Sequence, residues 1–319
     1  MASCGFPMIL LAVIKILCGN QFCIFHIIHP KFEYILLTRY HTSVLLALSE
    51  AAITCGIPQI SPRSDMSRVK GGNDAVPGSW PWQVRLGIRQ ANGQVMWNCG
   101  GSILTEKYVV TAAHCLVGGV NAQYMIRAGD HDQTRTEVAQ VDRAVLRIGQ
   151  HPNYAGQSGN FRNDIAILRL ATNLTFKAQI SPVCLPISKE DIPHGTTCMV
   201  TGWGKSGPTG TSYKPALQQG RVQIIGRQQC AAQYWGNMVT SNVQVCAGTP
   251  AGTVDACSGD SGGPLVCQDP TSRRWVLHGV VSFGPLTGCG NPTKPAVYTR
   301  ITGLLDWIKT TTGNTVLQY

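Results

Sequence analysis

The chain has 319 residues, 44% hydrophobic and only 13% charged, with 26 Lys and Arg against 16 Asp and Glu, a net charge of +10. That apolar mass excludes a disordered chain and supplies one large or two medium cores. Scarce charge and 35 Gly exclude a coiled coil. The basic residues are scattered, without a stripe or run, which argues against nucleic acid as a partner.

From the N-terminus, Phe6 to Leu17 is apolar apart from Lys15, and a second apolar cluster runs from Val44 to Leu48 ahead of Ala51 and Ala52. The basic flank of an ordinary signal peptide is missing before the first run, while Lys31 and Arg39 follow it. The expectation is a leader or signal region over 1–54, removed before Cys55. A retained anchor and an artefactual first exon are the alternatives, because Gly19 to His41 resembles neither leader nor domain. Thirteen cysteines without a CxxC pair point to an oxidising, secretory compartment. Ten of them lie from Cys55 onward; Cys4, Cys18 and Cys23 fall in the leader.

After Ser79, short strand-like runs alternate with Gly, Pro and Asn turns: Trp82 to Ile88, Tyr108 to Thr111, Val145 to Ile148, Ile165 to Leu170, Arg221 to Ile225 and Trp275 to Phe283. This rhythm predicts an all-β fold. Ile301, Leu304, Leu305 and Ile308 recur at helical spacing and predict one C-terminal helix. Pro182, Pro186 and Pro193 mark a connection between two halves, with a boundary near residue 190.

Three segments carry chemistry: Thr111-Ala112-Ala113-His114-Cys115, Asn163-Asp164-Ile165-Ala166-Ile167-Leu168 and Gly259-Asp260-Ser261-Gly262-Gly263-Pro264. A His after a strand is more often a surface or satisfied side chain, and an Asp before one is more often a cap. The third segment is more specific. Glycines around Ser261 leave backbone N–H groups free to face an exposed hydroxyl, as stabilisation of a tetrahedral oxyanion requires. A serine hydroxyl is a poor nucleophile at neutral pH and needs a base that titrates nearby, which His supplies.

In these motifs, in the order His, Asp, Ser, the chain from about Cys55 onward closely resembles the chymotrypsin/trypsin family of serine endopeptidases. The resemblance implies two packed six-stranded antiparallel β-barrels with a C-terminal α-helix: a propeptide over 55–68, a first barrel over 69–190, and a second barrel with the helix over 191–319. It implies Ser261 as nucleophile, His114 as general base and then acid, and Asp164 as the group that orients the imidazole. The amides of Gly259 and Ser261 would form the oxyanion hole, and Ser282 would support Asp164 beside a backbone that pairs with substrate. Cleavage after Arg68 would free the amine of Val69 to pair with Asp260. Lys70 departs from the apolar residue usual after the new N-terminus.

The same resemblance pairs Cys55 with Cys184, Cys99 with Cys115, Cys198 with Cys267, Cys230 with Cys246 and Cys257 with Cys289. It places Asp255 at the floor of the specificity pocket and Gly284 and Ala296 on its wall. An acid there favours cleavage after Arg or Lys. The methyl of Ala296, and segments such as Ser79 to Gln83 and Lys294 to Tyr298, lean instead toward elastase and chymotrypsin relatives. A non-catalytic binding module on the same fold is the remaining alternative.

No cofactor is required and no metal residue is assigned, although Gly129 to Asp132 with Glu137 and Gln140 lies where some relatives bind calcium. An ordinary solvated loop is the other reading of that segment. Asn173-Leu174-Thr175 is a glycosylation sequon, and Trp80, Trp82 and Trp203 are expected in the core. The expected partners are protein or peptide substrates, an activating protease and protein inhibitors, with no membrane, for a secreted monomer.

Overall fold

The computed structural model describes residues 13–19, 22–29, 32–39, 54–63, 72–116, 121–189, 191–205, 212–239, 242–252, 254–285 and 288–316. Cys4, the start of the first apolar run, Val44 to Leu48, Arg68, Val69 and Lys70 therefore lie outside the described residues. The chain divides into two compact units, 1–53 and 54–319.

In the first unit, β1 (Val13–Gly19), β2 (Phe22–His29) and β3 (Phe32–Arg39) form an antiparallel meander. No element is expected there from the sequence analysis. The segment is rich in Ile and Phe, residues that suit extended backbone.

The second unit carries two closed six-stranded antiparallel barrels and a C-terminal helix. The first barrel is built from β5 (Gln83–Arg89), β6 (Val95–Ile103), β7 (Tyr108–Thr111), β8 (Tyr124–Ala128), β9 (Val141–Gln150) and β10 (Ala166–Leu170). Their order around the barrel is β10-β7-β6-β5-β8-β9. Alternation turns Val84, Leu86, Ile126 and Leu168 into a fully buried interior around Trp82 and Tyr124.

The second barrel uses β11 (Thr197–Gly202), β12 (Gln218–Ile225), β13 (Gln244–Gly248), β14 (Pro264–Gln268), β15 (Trp275–Phe283) and β16 (Ala296–Arg300). Pairing of β11 with β12 closes it, and the two-residue β4 (Asn73–Asp74) adds to β12. Val200, Val222, Val245, Leu265 and Tyr298 fill its core.

Beyond the three-residue α1 (Arg227–Gln229), α2 (Leu305–Thr311) follows a short 3-10 turn at Thr302–Leu304. Leu304, Leu305 and Ile308 are buried, as their spacing predicts, and join the cluster that fills the first barrel. Asp306 in the first turn of α2 and Lys309 in the last suit the helix dipole. The Trp307 ring lies 4.9 Å from that of His151, which ties the end of the chain to the first barrel.

Tyr108 to Thr111 and Trp275 to Phe283 are strands with the bounds expected. No strand-like run of the sequence announces β6, β8, β11, β13, β14 or β16. These strands carry glycines, cysteines or polar residues that break the apolar run, as in Val95–Ile103 with Asn98, Cys99, Gly100 and Gly101. Ladder pairing decides them instead. Trp80, Trp82 and Trp203 are buried.

Among the described residues, five disulfides join Cys55–Cys184, Cys99–Cys115, Cys198–Cys267, Cys230–Cys246 and Cys257–Cys289, coinciding with the pairings that the resemblance implies. Among the described residues, no helix is long and apolar enough to cross a membrane.

Candidate active site

Strand pairing brings the first two motifs together. In the β7–β10 ladder Thr111 faces Ala166, so the chain leaving β7 and the chain entering β10 share one end of the barrel. His114 sits on the 3-10 turn Ala113–Leu116 just past β7, pinned by the Cys99–Cys115 bridge. Asp164 lies just ahead of β10. The Asp164 carboxylate, fully buried, accepts the His114 backbone N–H at Oδ1 (2.9 Å) and faces His114 Nδ1 from Oδ2 at 2.7 Å.

The second barrel completes the setting of this acid. Ser282 donates its hydroxyl to Asp164 Oδ2 at 2.5 Å, and Thr299 donates to the Asp164 carbonyl at 2.7 Å. A register shift between Val281 and Phe283 marks a bulge at Ser282, the device by which a strand re-aims one side chain. Three donors thus converge on one buried carboxylate and fix its orientation.

Ser261 lies in the turn between Asp260 and β14. Its carbonyl accepts the Gly100 N–H (2.7 Å), while the Gly262 N–H donates to Val281 O and the Gly263 N–H to Asp260 O. Gly262 has φ +79°, and a Cβ there would collide with the Thr111 hydroxyl and stand 2.6 Å from Gly100 O. Only glycine lets the serine turn pack this closely on the strand that delivers His114. Among the described residues, no hydrogen bond joins the Ser261 hydroxyl to His114; the polar neighbour of His114 Nε2 is Cys115 Sγ at 3.9 Å.

Gly259 has φ +101°, and a Cβ on it would stand 2.7 Å from the Tyr213 ring. The Asp260 N–H is taken by Cys257 O, at 2.9 Å, whereas the amides of Gly259 and Ser261 donate to no described residue. Asp260 itself is partly buried. Its Oδ1 accepts from Gly204 N (2.8 Å) and its Oδ2 from Cys257 N (2.9 Å), yet burial raises its carboxyl to about 6. It borders a cavity of about 30 Å³ together with Gly72, the first described residue beyond Arg63.

Asp255 accepts from Ala256 N (2.9 Å) and Gly290 N (3.2 Å), with a further backbone bond from Ala296. Burial outweighs these donors and pushes its carboxyl up to about 7. It borders a cavity of about 240 Å³ shared with Tyr234, Gly248 and Pro292, and also the small cavity at Asp260. Ala296 is fully buried on β16, and Gly284 is exposed just beyond β15. The Cys257–Cys289 bridge joins the segment carrying Asp255 to the one carrying Gly290.

Three features of the site carry no sequence signal, or only a faint one. Phe161, at φ 51°, presents its ring edge to His114 at 6.1 Å and stacks on Phe283 at 5.4 Å. Thr299 looks like any strand threonine. The pair Gly202 and Gly204 admits the Asp260 carboxylate, which a Cβ on either residue would strike; two glycines around one Trp are the hint.

Two clusters of donor atoms lie in or near the first barrel. Cys99, His114 and Cys115 offer ligand atoms within 4.8 Å of one another, but the two sulfurs are joined in a disulfide and supply no thiolate. In the 129–140 loop, Asp130 meets Arg85 at 3.3 Å, and Arg135 lies 3.3 Å from Asp132 and 3.6 Å from Glu137. Glu137 also accepts the His131 N–H. Arginine cations already face these carboxylates, so the donor set fits calcium poorly. Asn173 of the sequon is exposed.

The trypsin family model matches residues 69–308, a span that takes in both barrels and all three motifs. With that match over most of its length, two closed barrels and the five bridges, the chain belongs to the trypsin family of serine proteases.

Proposed function

We propose that the chain is a secreted endopeptidase zymogen that hydrolyses peptide bonds through an acyl-enzyme on Ser261. The observation that carries this reading is the buried Asp164 carboxylate bound to His114 Nδ1 at 2.7 Å. That contact leaves Nε2 as the ring nitrogen available to take a proton. The Ser261 hydroxyl attacks the substrate carbonyl as its proton passes to Nε2. The imidazolium, stabilised by Asp164, then protonates the leaving amine, and water repeats the sequence on the ester. The amides of Gly259 and Ser261 receive the oxyanion, a type of interaction worth about 3–4 kcal/mol per donor. Hydrogen bonds of this kind are often long in free enzymes and tighten on substrate binding.

Activation would follow cleavage after Arg68. Gly72 already borders the cavity at Asp260, and the three Cα-to-Cα steps from Val69 to Gly72 can span roughly 10 Å when extended. A buried carboxylate raised to about 6 gains most from a cationic partner, and the amine of Val69 is that partner. Asp255 would then select Arg or Lys. A second reading, apolar specificity, is favoured by the backbone donors already on Asp255, by its raised carboxyl and by the buried methyl of Ala296. The protein acts as a monomer on protein substrates and is open to protein inhibitors.

Activation with trypsin, followed by labelling with a serine-directed phosphonate, tests the mechanism. Labelling should appear together with a new N-terminus at Val69 and vanish in Ser261→Ala. A folded, cleaved protein that stays unlabelled would establish a binding module instead. Arg, Phe and Ala substrates compared side by side separate the two specificities.

A further inference from the structure

Residues 55–60 are fastened to the body of the second unit as a strap. The Cys55–Cys184 bridge, Gly56 N–H to Pro182 O (2.9 Å), Trp275 N–H to Gly56 O (2.8 Å) and the Arg274 guanidinium on Cys55 O (3.0 Å) hold them there. Between this strap and the second barrel lies an open groove of about 610 Å³, lined by none of the residues of the site described above. Ile57, Pro62 and Trp275 give it apolar walls, and Arg63, Arg221 and Arg273 place three exposed guanidinium groups along it. No acidic residue borders it among the described residues.

We propose that this groove binds an amphipathic anion, an apolar body with a single carboxylate or sulfate head. The volume lies in the range of small-molecule sites. The apolar walls exclude water from the body of such a ligand, and planar guanidinium groups suit an oxyanion head through paired hydrogen bonds. A purely polyanionic ligand would leave the walls of Ile57, Pro62 and Trp275 unused. A neutral lipid would make no use of the cationic edge. The net charge of +10 adds long-range attraction for anions.

Calorimetric titration of the full-length protein with dodecanoate, kept below its micelle concentration, tests the assignment. The expected result is one site of micromolar affinity that weakens as salt rises. Dodecanol should bind at least tenfold more weakly. Arg221→Gln and Arg273→Gln should each cost about fivefold, with an unchanged melting temperature because both side chains are exposed. Equal affinity for dodecanol, or undiminished affinity in the double variant, would overturn the proposal. So would binding of a sulfated polysaccharide with no binding of dodecanoate.

Discussion

The bridge between Cys55 and Cys184 should stabilise the chain only while the chain between them is uncut. It closes a loop with a sequence separation of 129, against 16 for Cys99–Cys115. Loop-closure entropy grows with the logarithm of loop length, so replacing both cysteines by Ala should cost about 5 kcal/mol for the first pair and about 3 kcal/mol for the second. Once cleavage occurs after Arg68, the long loop is open and the first bridge no longer restricts the unfolded barrels. Its role becomes a tether for the strap, whose other ties are a few hydrogen bonds around Gly56 and Cys55. Urea titrations of the double variants decide the matter, with Arg68→Gln in the background to keep the chain intact and cleaved protein in parallel. The ordering should hold in the intact protein, and the penalty for the Cys55–Cys184 pair should largely vanish in the cleaved one, where the strap peptide dissociates. An equal penalty before and after cleavage, or a larger one for Cys99–Cys115, would refute the entropic argument.

Two further outcomes follow from the site. The raised Asp255 carboxyl is mostly neutral below about 7 and charged above it, so attraction for a cationic substrate appears only as pH rises through that value. The ratio of kcat/KM for an Arg substrate to that for a Phe substrate should therefore climb between about pH 6 and 8, and Asp255→Ser should flatten it; a ratio independent of pH in the parent enzyme would contradict the assignment. Gly262→Ala places a Cβ against Thr111 and Gly100 at positive φ. It should cost about 2–4 kcal/mol through overpacking and backbone strain, a fall of about 5–15 °C in Tm. Gly284→Ala, where a Cβ meets nothing within 4 Å, should barely move Tm.

Much of the architecture is legible in the order of residues. The short apolar runs between turn residues announce strands, and the spacing of Ile301, Leu304, Leu305 and Ile308 announces the final helix, because burial of one face depends on local periodicity. The three motifs, read through their resemblance to a family, name His114, Asp164 and Ser261. The strands interrupted by glycine and cysteine stay hidden. Val95–Ile103 is a strand because neighbours on both sides hydrogen-bond to it, a condition that its own residues do not announce.

Residue order alone names the chemical groups this protein owns: an acid, an imidazole, a hydroxyl and the glycines that let a turn come close. How those groups are held depends on the folded barrels. The register of Thr111 against Ala166 delivers Asp164 to His114. The bulge at Ser282 and the hydroxyl of Thr299 anchor that acid from the other barrel, and the strap of 55–60 makes a groove with residues more than a hundred positions away. Side-chain identity is local, whereas orientation and burial are set by the chain segments packed around each group, and those meet only when the barrels close.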